Sequence, residues 1–270
     1  MGQAIARCAL QAPPHDGGAG FTIGAALEAS GHAAIGRDFG TVLGRPIELG
    51  VRVADDAKAG LGRGDVLIEF TAPEVTVAHV QLAQSLRKPM VIGTTGLTEA
   101  QQDALKSAAK TIPIVFSPNM SPGVNVLFEL AQLAAQRLGP AYDVEVVESH
   151  HRQKKDSPSG TAKRLAELLA AVRQQPSSLG SLRLLGTTPS EDPLAQVGTR
   201  VEGSIPVHAV RAGDIVGDHT VILAGPSERL ELTHRAQSRE VFAQGALRAA
   251  RFVVGRPPGL YDMSSVLQHG

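Results

Sequence analysis

The stretch richest in reactive side chains runs Glu148-Ser149-His150-His151-Arg152-Gln153-Lys154-Lys155-Asp156-Ser157-Pro158-Ser159-Gly160-Thr161-Ala162. Two imidazoles and three cations meet there, at the end of an alternating, strand-like run from Asp143 to Ser149. An imidazole exchanges protons near neutral pH, and a nearby lysine neutralises an acid group or donates a proton itself. Ser159 is placed to cap a helix whose buried stripe is Leu165, Leu168 and Leu169. The free backbone N–H groups of that first turn, at Gly160 and Thr161, favour a carboxylate or phosphate. The segment reads as an anion site with an acid/base group attached. Blander readings compete: adjacent histidines are mostly unrelated side chains, and Ser-Gly-Thr is often only a cap. The lysine cluster decides against them. A metal site is not expected, because neighbours on a strand point to opposite faces and no cysteine lies near.

Such a site must be carried by a scaffold, and the first half of the chain shows one. Between residues 65 and 116, short apolar strands alternate with amphipathic helices. Val66-Leu67-Ile68 ends in Glu69-Phe70-Thr71-Ala72-Pro73, and the helix after it carries Val77, Val80, Ala83 and Leu86 on one face. Met90-Val91-Ile92 ends in Gly93-Thr94-Thr95-Gly96. Thr98 and Gln101 then form a capping box for the next helix. The strand from Ile112 to Phe116 ends in Ser117-Pro118-Asn119-Met120-Ser121. Continuous apolar strands alternating with helices predict a parallel sheet covered on both faces, with ligands beyond its carboxyl ends. One Gly-Thr-Thr-Gly is usually just a turn; three polar tips in register make a binding edge.

Beyond a helix with Leu127, Leu130 and Leu133, closed by Gly139, the texture changes. β-like stretches at Ser204-Val210, His219-Leu223 and Leu230-His234 follow without helices between them. They predict a mixed or antiparallel sheet in a second, α+β domain. The boundaries expected are 1–118 with 240–270 for a dinucleotide-binding domain, and 119–239 for a substrate-binding, catalytic and oligomerisation domain. The helix-like run from Arg239 to Arg251 returns to the first.

Composition narrows the function. In 270 residues, Lys+Arg and Asp+Glu are 26 each and aromatics are 3%, so neither a basic field nor stacking platforms point to nucleic acid. No apolar run approaches the roughly 20 residues that span a bilayer, and no membrane partner is expected. Arg7 interrupts the one candidate signal-peptide core. The single cysteine, Cys8, fits a reducing compartment, so a cytoplasmic location is expected.

The segment from Glu148 to Ala162 resembles the signature of the 4-hydroxy-tetrahydrodipicolinate reductases, also called dihydrodipicolinate reductases. Similarity extends to Glu69-Phe70-Thr71, Gly93-Thr94-Thr95-Gly96, Asn119 with Gly123-Val124-Asn125, Arg211-Ala212-Gly213-Asp214-Ile215-Val216-Gly217, Thr233-His234 and Gly259-Leu260-Tyr261-Asp262-Met263. The resemblance implies a Rossmann-like, doubly wound sheet and reduction of a small cyclic dicarboxylate by NADH or NADPH, on the diaminopimelate route to lysine, in a homotetramer. It makes His150 the general acid/base and Lys154 a proton donor. His151, Lys154, Gly160 and Thr161 would hold the substrate carboxylates. Glu28, Gly93, Thr94, Thr95, Ser117, Pro118, Asn119 and Met120 would line the cofactor, with Glu28 at the end of a Phe21-to-Leu27 strand taking the adenosine ribose.

Two departures qualify this. The family opens with a strand and a Gly-rich loop ending Gly-Arg-Met-Gly; Met1-Gly2 coincides with the end of that loop, and residues 3–11 read as the helix after it. The sheet is therefore expected without its first strand, with the native start upstream of Met1. Ala29 stands where NADPH-accepting members often carry a basic residue, which points to NADH. The alternative function is a truncated, impaired member that still binds dicarboxylates. A relative of aspartate-semialdehyde or homoserine dehydrogenase would share the architecture but has no need of the His-His-Lys-Ser-Gly-Thr segment.

Overall fold

The computed structural model describes residues 1–12, 20–173 and 205–269. They form two compact units, Met1–Pro122 with Arg239–Gly270, and Gly123–Ser238. In chain order the first unit holds α1 (Gly2–Gln11), β1 (Ala26–Leu27), α2 (Phe39–Val42), β2 (Val53–Ala54), α3 (Ala57–Arg63), β3 (Leu67–Glu69), α4 (Pro73–Leu86), β4 (Met90–Ile92), α5 (Glu99–Ala108) and β5 (Pro113–Phe116). The second holds α6 (Pro122–Leu138), β6 (Asp143–His150), α7 (Gly160–Val172), β7 (Val207–Arg211), β8 (Asp218–Ala224) and β9 (Arg229–Arg235). The first unit is completed by α8 (Glu240–Val253), β10 (Gly259–Tyr261) and α9 (Met263–His269).

The four-stranded sheet of the first unit has the order β10-β5-β4-β3, every pair parallel. Its central strands, β4 and β5, are apolar throughout because both faces are covered. Val91 and Val115 point into one core with Ile5, Ala243, Ala246 and Met263. Met90, Ile92 and Ile114 point into another with Leu61, Val80 and Leu105. This is the two-faced parallel sheet that the sequence predicts. The capping box that starts α5 also forms, with Thr98 and Gln101 satisfying each other's backbone N–H groups.

β1 pairs only with β2, as a separate parallel ribbon. Among the described residues no strand lies on the other side of β1, and none pairs with β3 except β4. The expected Phe21-to-Leu27 strand is accordingly regular only at Ala26 and Leu27. A strand without a neighbour has no ladder to hold its N–H and C=O groups. Phe21 and Ile23 instead pack, as irregular chain, against the same core that Val91 and Val115 enter.

The second unit is a mixed sheet, β7-β6-β8-β9, parallel between β6 and β7 and antiparallel elsewhere. Helices α6 and α7 cover the face made by Val144, Val146, Val207, Val221 and Leu223. The buried stripe of α6 is Val124, Leu127, Phe128, Ala131 and Ala135, while Leu130 and Leu133 are about half exposed. Of the three leucines, only Leu127 lies on the buried face. Ala131 and Ala135 pack into the same core as the inward residues of the sheet. Of the stretch expected from Ser204, Ser204 itself lies outside the described residues, and the strand is Val207–Arg211.

Candidate functional site

Alternation along β6 builds the chemical site. Val144, Val146, Glu148 and His150 share its buried face, so the apolar core beneath α7 gives way at the strand's end to a carboxylate and an imidazole. The antiparallel register sets His219 of β8 opposite Glu148, and the parallel register sets Arg211 of β7 opposite His150. Three strands thus deliver Glu148, His150, Arg211 and His219 to one place.

Glu148 is wholly buried. Its Oε1 accepts from Arg211 Nη2 at 2.7 Å and from the Ser159 backbone N–H at 3.0 Å. Its Oε2 accepts from Arg211 Nη1 at 2.9 Å and meets His150 Nδ1. Burial works to raise this carboxyl, but the bonds from His150, Arg211 and Ser159 outweigh it and hold it at about 2. Glu148 is therefore an anion across the neutral range.

His219 is also buried, its ring edge-on to that of His150 with 5.2 Å between centroids. Burial, reinforced by the neighbouring His150, pushes its imidazole down to about 3, so it stays neutral. Its Nε2 meets Ser159 Oγ at 3.1 Å, and that hydroxyl caps α7 by accepting from Ala162 N–H. Ser159 is the cap the sequence predicts. Gly160 is exposed and Thr161 mostly buried in the first turn, where α7 presents N–H groups to an anion. His151 lies just past the end of β6, half-buried. Lys154 lies in the loop that follows, its Nζ 2.9 Å from Asp156 Oδ1. The Lys154 ammonium thus lies in the loop between β6 and α7, paired with Asp156. Among the described residues, no cluster of His, Cys, Asp or Glu could hold a metal ion.

Gly217 explains why a glycine follows Asp214-Ile215-Val216. A Cβ there would sit 3.0 Å from His150 Nε2, so hydrogen keeps that nitrogen's edge clear. Gly217→Ala is expected to tilt the imidazole and lower turnover by up to about 10²-fold, with substrate binding little changed. Steady-state kinetics measure it.

The first unit carries the other predicted residues. Thr94 is buried, its Oγ1 2.7 Å from that of Thr76 on α4, and Thr95 is exposed beyond it. Gly93 donates to the Glu69 carbonyl, and the Phe70 ring lies so close that any Cβ would overlap it at 2.2 Å. Ser117 Oγ donates to the Asn119 carbonyl, Pro118 is exposed, and Asn119 Oδ1 accepts from Ser121 N–H. Met120 has its side chain in the core, so only its backbone is offered to a ligand. Glu28 is exposed just past β1, one oxygen accepting from Ala29 N–H at 2.9 Å. The tips after β3, β4 and β5 are brought to one sheet edge; Glu28 belongs to the separate β1–β2 ribbon.

Sequence reasoning assigned no role to Glu148, Arg211, His219 or Gly217, although it quoted three of them inside motifs. One signal was available: Glu148 and His150 are two apart on a strand and must share a face. It also assigned no role to the side chain of Glu69 or to His79, which pair at 2.5 Å under the Phe70-Thr71 tip. Burial opposes ionisation of Glu69, but His79 and Thr71 hold it below its ordinary range.

A parallel sheet with polar tips, joined in one chain to a mixed-sheet unit carrying a histidine–carboxylate pair at a helix N-terminus, is the build of a two-domain reductase. Comparisons with known proteins narrow the class. The family models "Dihydrodipicolinate reductase, N-terminus" and "Dihydrodipicolinate reductase, C-terminus" match residues 1–120 and 123–267. Proteins named 4-hydroxy-tetrahydrodipicolinate reductase are similar over nearly the whole chain. That of Ralstonia nicotianae is 44% identical, covering 99% of this chain and 95% of its own. That of Aromatoleum aromaticum is 46% identical, covering 92% and 86%. The chain belongs to the dihydrodipicolinate (4-hydroxy-tetrahydrodipicolinate) reductase family. In fold it is similar to the dipicolinate-bound dihydrodipicolinate reductase of Paenisporosarcina sp. TG-14, with a TM-score of 0.72 at 24% identity, covering 97% of this chain and 92% of that one.

Proposed function

We propose that this protein reduces 4-hydroxy-tetrahydrodipicolinate to tetrahydrodipicolinate with NADH or NADPH, one proton being consumed and one water released. The observation that carries the reading is the buried His150–Glu148 pair bonded to the N-terminus of α7, with Lys154 in the loop that joins β6 to that helix. It supplies an acid/base nitrogen next to donors suited to two carboxylates. His151, Lys154, Gly160 and Thr161 hold the cyclic dicarboxylate, and His150 with Lys154 handles the proton. Relatives 44–46% identical carry the reductase name, which favours an enzyme over a chain that only binds dianions.

The residues of the first unit fit a nicotinamide dinucleotide. Glu28 presents an exposed carboxylate to ribose hydroxyls, and α1 begins without a side-chain cap, leaving its first N–H groups for a phosphate. Gly93, Thr94, Thr95 and the Ser117-to-Met120 turn form the edge along which it would lie. Bound there, the dinucleotide supplies a hydride. A coupled assay with the product of the upstream synthase and each nicotinamide in turn tests the reading; no oxidation of either would sink it.

Glu28 beside Ala29 favours NADH, because the carboxylate accepts ribose hydroxyls and repels a 2′-phosphate. Ala29→Arg is expected to raise kcat/KM for NADPH by roughly 10- to 100-fold, the worth of one charged hydrogen bond. Wild-type preference for NADPH would overturn this. Family resemblance also supports a homotetramer in the cytoplasm. The described residues include no helix long and apolar enough to cross a membrane. Light scattering on the purified protein should give the mass of four 28.2 kDa chains.

A further inference from the structure

Glu148 was given no role from the sequence, yet both of its carboxylate oxygens are fully engaged in the site. Its two oxygens receive four hydrogen bonds: two from Arg211, one from the Ser159 backbone and one from His150 Nδ1. Arg211 is fixed in turn, its Nη2 donating to the Asp156 carbonyl and its Nη1 to that of Val210, each at 2.8 Å. We propose that Glu148 is a positioning residue that holds neutral His150 in its Nδ1–H tautomer, so that Nε2 is the nitrogen that exchanges protons during turnover. The inference rests on His150 being the acid/base group, as read above.

The argument is one of donors and acceptors. An ionised carboxylate accepts and cannot donate, so the ring nitrogen facing it must carry the hydrogen. Glu148 is kept ionised by Arg211 on one side and the start of α7 on the other. A neutral imidazole has one N–H, and with Nδ1 protonated its lone pair is on Nε2. Nε2 lies against Gly217, where no side chain intervenes. The charged or titratable groups around the ring are Glu148 on its own strand, Arg211 on β7, neutral His219 on β8, and the Lys154–Asp156 pair in the loop. Among these, only Glu148 touches Nδ1. A carboxylate serving merely as a counter-ion for Arg211 would have no need of that contact.

Nitrogen-15 NMR of histidine-labelled, ligand-free protein reads the tautomer directly. The expected spectrum at neutral imidazole shows Nδ1 protonated and Nε2 bare for His150; the reverse overturns the proposal. Glu148→Gln supplies the second readout. Its amide retains the shape but turns one oxygen into a donor. With the remaining oxygen kept by Ser159 and Arg211 Nη2, the NH2 gives up the bond from Arg211 Nη1, faces Nδ1 and forces the proton onto Nε2. The variant should show the switched tautomer and a kcat lower by about 10²–10⁴-fold, with KM within about threefold of wild type. Normal turnover with an unchanged tautomer would refute the idea. Wild-type protein with the Nδ1–H tautomer but no reductase activity would instead refute the proposed reaction and leave the tautomer established.

Discussion

His150→Gln is expected to lower kcat by about 10²–10⁴-fold while moving KM by far less, because it removes the group that shuttles the proton and spares those that hold the carboxylates. The side chain is nearly buried, its Nδ1 tied to Glu148, its ring edge-on to His219 and its Nε2 beside Gly217. Gln can reach Glu148 with its amide, so the buried carboxylate retains a donor and folding is largely preserved. It cannot exchange a proton at neutral pH. Kinetics on a variant whose melting temperature stays close to wild type check the prediction. Near-normal turnover would mean that the proton passes through another group, with Lys154 the first to test.

How much of this was legible beforehand follows from what fixes each feature. The strands at Met90–Ile92 and Pro113–Phe116 and the cap at Ser159 are local patterns, and each sits within a residue or so of where periodicity puts it. Phe21-to-Leu27 looks equally strand-like, but a strand's length is set by its neighbours, and only Ala26 and Leu27 find one. Leu127, Leu130 and Leu133 announce a helix, but which of them is buried depends on the helix period and the partner it packs on, and only Leu127 is. In the site, His150, Lys154 and the Gly160-Thr161 turn were visible because they cluster in sequence. Arg211 and His219 reach Glu148 from 63 and 71 positions away, through the registers of β7 and β8, and no local pattern announces a register. Glu148 itself sat inside the quoted motif, but its meaning needed the arginine that only the sheet brings to it.

That arginine carries the largest expected effect on stability. Arg211→Met should destabilise the protein by about 3–5 kcal/mol at pH 7, because it strips the main counter-charge from a carboxylate with no access to water. In the wild type, the fall of Glu148 from its ordinary 4.5 to about 2 corresponds to ~3 kcal/mol of stability. The sign follows from the direction of the shift. A carboxyl whose folded value is depressed contributes fully above about 4.5 and loses that contribution as pH falls towards 2. Without Arg211, burial is opposed only by His150 and the Ser159 N–H, and the carboxyl moves up. Melting temperatures of the two proteins should differ by on the order of 10 °C at pH 7, and the gap should narrow steadily below pH 4.5. Replacing both partners, Arg211→Met with Glu148→Gln, should recover part of the loss, since no buried charge then remains unpaired. A gap that stayed constant from pH 7 to pH 3 would show that Arg211 stabilises the fold by packing and not by holding Glu148 as an anion.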